Sequence, residues 1–83
     1  MQLEELLRNI ISKIVDRPEE IEIDTVPGEH TMIIKLKVAK EDTGKVIGKQ
    51  GRTADAIRTI LKSVGGKFSK KVILEIKDTY TTE

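Results

Sequence analysis

The chain has 83 residues, 37% of them hydrophobic and 35% charged, with no cysteine and a formal net charge of +1. That length suits one domain and a core too small for a deep enzyme cleft, while periodic Ile, Leu and Val residues exclude disorder. The lack of cysteine excludes disulfides, thiolate metal sites and a cysteine nucleophile.

The charge is segregated along the chain. Residues 1–44 carry six Lys/Arg against ten Asp/Glu, whereas residues 45–71 carry eight Lys/Arg against Asp55 alone. A basic block inside a nearly neutral protein points to a localised site for an anionic partner; a solvated Lys/Arg face is the plainer alternative. The start Met1-Gln2-Leu3-Glu4-Glu5 has neither the basic segment nor the apolar run of a signal peptide. The expected location is the cytoplasm.

Leu3, Leu6, Leu7, Ile10, Ile11, Ile14 and Val15 share one helical face, which predicts a helix over 3–15. Glu4 and Glu5 suit its positive N-terminal end, and Pro18 forbids continuation beyond Asp16-Arg17. Alternation predicts strands over 21–26 and 31–38, joined by the turn signal Pro27-Gly28. A short helix is expected over 41–47 with Val46 and Ile47 inward, then a loop over 48–51. Helical spacing returns through Ala54, Ile57, Ile60, Leu61 and Val64 and predicts a helix over 52–64, stopped by Gly65-Gly66. A strand over 70–77 closes the order, with Phe68 placed in the core. Residues 1–78 form the expected domain, and residues 79–83 a frayed tail. Six elements in the order α-β-β-α-α-β make a two-layer α+β fold, three helices on one face of a three-stranded sheet.

The informative stretch is Gly44-Lys45-Val46-Ile47-Gly48-Lys49-Gln50-Gly51-Arg52. Two glycines bracket Lys49-Gln50 between two helices. Glycine has no Cβ, so a phosphate can approach its backbone closely. A helix beginning after Gly51 directs N–H groups and a positive dipole end toward the loop. Lys45, Lys49 and Arg52 add positive charge.

This stretch resembles the V-I-G-x-x-G signature of KH domains, and the order of elements resembles their type II arrangement. The likeness covers all but the tail, including Ala56-Ile57-Arg58-Thr59. It implies a module that clamps about four nucleotides of single-stranded RNA, with the glycine loop on the sugar–phosphate backbone. On that likeness Gly48, Lys49, Gln50 and Gly51 hold the backbone, flanked by Lys45, Arg52 and Arg58. Val46, Ile47, Ala54 and Ile57 floor or support a groove for the bases. It further implies an RNA chaperone or post-transcriptional regulator that pairs with itself or with a larger KH-containing protein.

The other classes find less support. His30 has no partners for a metal site or a triad, and no paired carboxylates suggest catalysis. A P-loop needs four residues between its glycines and then Lys-Ser/Thr; here three lie between Gly44 and Gly48, and Gln50 follows Lys49. One Phe, one Tyr and no Trp disfavour modules that stack bases on an aromatic sheet. No enzyme activity and no cofactor are expected. The alternative function is a protein-interaction module that dimerises through exposed apolar residues such as Ile33 and Ile73. DNA in place of RNA is a weaker variant.

Overall fold

The computed structural model describes residues 2–77. Met1 and the expected tail, with Tyr80, lie outside them, as does Asp78 at the end of the expected domain. The elements are α1 (Gln2–Ser12), β1 (Glu22–Pro27), β2 (Thr31–Lys37), α2 (Thr43–Ile47), α3 (Arg52–Lys67) and β3 (Lys71–Ile76). Short 3₁₀ turns occupy Pro18–Glu20, Lys40–Asp42 and Lys49–Gly51. This is the expected α+β order.

The sheet runs β1-β2-β3. β1 and β2 pair antiparallel as a hairpin, with Ile23 opposite Leu36 and Thr25 opposite Ile34. β3 pairs parallel to β2, with Ile34 beside Leu74 and Leu36 beside Ile76. A parallel partner needs a long crossover, and α2 and α3 supply it. Alternation places Ile23, Met32, Ile34, Leu36, Val72 and Leu74 on one sheet face, where they form a single core with Leu3, Leu7 and Ile11 of α1, Val46 of α2, and Ile57 and Leu61 of α3. All three helices therefore cover that face. On the other face the register aligns Val26, Ile33 and Ile73 in one row across the strands.

Four local expectations are corrected. α1 ends at Ser12 rather than 15, because Lys13 and Ile14 donate to carbonyls three residues back and tighten the turn. α3 runs through Gly65-Gly66 to Lys67. Gly65 is not a cap there; it is buried where a Cβ would lie 2.4 Å from Val72 Cγ2 and 2.9 Å from Lys70 O. Its missing side chain lets α3 approach β3, and the left-handed turn falls on Ser69, at φ 59°. Ile60 is 44% exposed, since the buried stripe of α3 is the narrow set Ala54, Ile57, Leu61 and Gly65. Phe68 is 47% exposed rather than core. It lies just past the helix end and lines a cavity of about 410 Å³ with Gln2, Leu3, Met32 and Lys70.

Candidate nucleic-acid interface

The loop begins where α2 stops. The Gly48 N–H donates to Gly44 O at 2.8 Å, closing α2. Gly48 then adopts φ 78°, ψ 175°, a conformation essentially confined to glycine. Thr53 crowds it as well: a Cβ on Gly48 would lie 2.3 Å from Thr53 Oγ1 and 2.9 Å from Thr53 N. Gln50 (φ 56°) and Gly51 (φ 75°) are left-handed too. Three positive-φ residues in four turn the chain from α2 into α3.

The turn consumes amides that the sequence reading leaves free. Gly51 N–H donates to Gly48 O at 3.2 Å, and Arg52 N–H donates to Lys49 O. The N–H groups of Lys49 and Gln50 find no protein acceptor among the described residues. Both residues are exposed. The two amides left over thus sit at the tip of the loop. Lys49 and Arg52 are exposed and make no ion pair among the described residues.

Lys45 differs from these two cations. Its ammonium donates to the Asp16 carboxylate and lies 3.6 Å from Asp42 Oδ1. The hydrogen bond to Asp16 outweighs partial burial and holds its pKa above the ordinary lysine value. The charge expected beside the loop is therefore tied to the carboxylates of Asp16 and Asp42.

Among the apolar candidates, Val46, Ala54 and Ile57 are buried and Ile47 is half-buried. The first three can support a groove but cannot line it. Arg58 reaches across from α3 to β3: its Nε donates to Leu74 O at 3.4 Å, and Nη1 lies 3.4 Å from Asp55 Oδ1. Lys71 N–H donates to His30 O and Lys77 N–H to Leu36 O. In a parallel ladder this parity turns the backbone N–H and C=O groups of Val72, Leu74 and Ile76 toward the open edge, while the Val72 and Leu74 side chains stay in the core. α3 and the edge of β3 thus lie side by side, with Arg58 between helix and strand.

Asp42 was missed at the sequence level. Its side chain is fully buried. Oδ1 accepts the Asp16 N–H at 3.1 Å and Oδ2 accepts the Arg17 N–H at 3.0 Å. Burial pushes its pKa up, but these donors and Lys45 prevail and hold it below the usual carboxylate value. An acid three residues before Lys45, just ahead of a helix, is a local signal; its backbone partners lie 25 and 26 residues away and leave none.

Among the described residues no helix is long and apolar enough to cross a membrane, and no group of three or more His, Cys, Asp or Glu is placed to hold a metal.

The model of the family described as "KhpA/KhpB, KH domain" matches residues 4–76. The chain is 50% identical over 74 residues to the RNA-binding protein KhpA of Clostridium acetobutylicum, covering 89% of this chain and 99% of that one. It is 53% identical over 76 residues to the KhpA of Chlamydia pneumoniae, covering 92% and 97%. The KhpA of Listeria monocytogenes is 49% identical over 74 residues, covering 89% and 97%. No solved structure matches.

Proposed function

The chain belongs to the KhpA/KhpB KH-domain family, and from that premise we propose that it binds single-stranded RNA, without catalysis, through the loop Gly48-Lys49-Gln50-Gly51. The observation that carries this is the exposed loop tip, where two N–H groups that find no protein acceptor among the described residues sit beside Lys49 and Arg52, which make no ion pair among those residues. Amides of this kind receive phosphate oxygens, and KH loops clamp about four nucleotides by the backbone. Ile47 and Arg58, with the open edge of β3, form the side along which bases lie; Val46, Ala54 and Ile57 hold that side in place from beneath. The cellular role is that of an RNA chaperone or post-transcriptional regulator in the cytoplasm.

The test is a titration of short single-stranded RNAs with the wild type and Lys49→Asp/Gln50→Asp. Both positions are exposed, so the substitutions spare the core while setting carboxylates against phosphate. Affinity is expected to fall at least about tenfold, and wild-type binding to weaken as salt rises through counterion release. Equal affinity of the two proteins rejects the proposal. Competition with DNA of matched sequence separates RNA from DNA, since only RNA carries the 2′-hydroxyl.

A second reading, self-association, is favoured by the row Val26, Ile33 and Ile73 on the uncovered sheet face. A two-fold axis along that row stacks it on itself and sets Glu75 of one copy against Lys71 of the other, so the face is self-complementary. Sedimentation velocity across micromolar to millimolar concentration checks it. A dimer that Ile73→Lys dissociates supports this contact, and a monomer throughout rejects it. A larger KH-containing protein is the alternative occupant of the same face.

A further inference from the structure

We propose that Asp42 is a positioning residue for RNA binding, and that Lys45 serves the Asp42 latch rather than the RNA. The inference rests on the RNA-binding loop proposed above and assigns two roles outside it. α2 has five residues, of which Thr43 and Val46 are buried. So short a helix does not hold its own direction. Asp42 stands at its start and the glycine loop at its end, so whatever fixes the start aims the loop.

What fixes the start is a set of contacts to the segment that follows α1. The buried Asp42 carboxylate accepts the N–H groups of Asp16 and Arg17 at 3.1 and 3.0 Å. Lys45, one turn along α2, bonds the Asp16 carboxylate and lies 3.6 Å from Asp42 Oδ1. Next to them Arg17 Nη1 reaches Glu41 Oε2 at 3.1 Å. Residues 16 and 17 thus clasp residues 41, 42 and 45 from both sides of the α2 start. A buried carboxylate is tolerated only when its oxygens are satisfied, and here both are. An ammonium already held by the Asp16 carboxylate and close to Asp42 Oδ1 would have to leave those partners before it could contact a phosphate.

Two measurements test this. The first is the dependence of the association constant on salt, read with a fluorescent single-stranded RNA of mixed sequence. Each phosphate contact contributes about 0.7 to the logarithmic slope on single strands. Lys49→Gln is expected to lower the slope by about that amount, while Lys45→Gln leaves it unchanged and weakens binding severalfold at every salt. A slope reduced equally in Lys45→Gln would make Lys45 a phosphate contact and overturn its assignment.

The second is amide hydrogen exchange in the free protein. In Asp42→Asn the hydrogen-bonded amides of Gly48, Gly51 and Arg52 are expected to exchange about tenfold faster relative to those of β2, which report global opening. RNA affinity should fall severalfold with the slope intact. Wild-type loop exchange and affinity in folded Asp42→Asn would overturn the positioning role. Should that variant not fold, Asp16→Asn and Lys45→Gln, which keep both backbone bonds to Asp42, take its place in the exchange comparison. Failure of the RNA reading is separate: the wild type would not bind, or Lys49→Asp/Gln50→Asp would bind equally, and loop exchange would still decide the latch.

Discussion

Two glycines with nearly the same φ do different work in the loop. Gly48 combines φ 78° with ψ 175° and has Thr53 against it, whereas nothing lies within 4 Å of a Cβ on Gly51. Gly51→Ala therefore meets only the left-handed penalty, about 1 kcal/mol. Gly48→Ala meets a glycine-only region and a backbone clash, and is expected to cost about 2 kcal/mol or more. Urea unfolding of the two variants checks the order; equal losses would contradict it. The motif was visible in the sequence because both glycines sit at its spacing. Which of them is also crowded was not, because Thr53 reaches Gly48 only after the turn is made.

At the level of elements, α3 departs furthest from its expected form. A pair of glycines is a strong local stop, yet the helix continues because packing against β3 outweighs glycine's backbone entropy. The two positions then predict opposite outcomes. Gly65→Ala forces a methyl toward Val72 and Lys70 O and should destabilise by about 1–3 kcal/mol. Gly66→Ala has nothing within 4 Å and should stabilise by about 0.5–1 kcal/mol through helix propensity. Thermal melts of both variants report the signs. A destabilised Gly66→Ala would mean that the last turn of α3 is not helical in solution. α1, β2 and β3 were legible because their apolar residues keep a single period over a whole element. Phe68 was misplaced because it lies beyond the end of a periodic run, where spacing carries no direction.

For the whole molecule, charge decides how stability responds to pH. The folded pKa of Asp42 lies below its ordinary value. Its contribution is thus fully present above the unfolded carboxylate pKa, about 3.9, and fades as pH falls through the lower folded value. Lys45 is the mirror case. Its pKa is raised, so its contribution holds below about 10.5 and is lost as pH rises through the folded value. The stability difference between wild type and Asp42→Asn should accordingly be constant near neutrality and shrink below about pH 4. Urea titrations across that range measure it, and a difference that persists unchanged in acid would contradict the assignment. Arg17, with Glu19, Glu20 and Glu41 around it, is a surface network of exposed groups and contributes little by itself.

The sequence by itself determined the α-β-β-α-α-β order, the apolar faces and the glycine-bracketed loop between two helices. Each of these is written in residues a few positions apart, where backbone geometry and side-chain period act locally. Only the tertiary structure decided that Lys45 turns back to Asp16, that Asp42 receives two amides from the segment after α1, and that Gly65 is a packing contact. Those outcomes depend on groups brought together from distant parts of the chain, and their energies exist only once the fold has set those groups in contact.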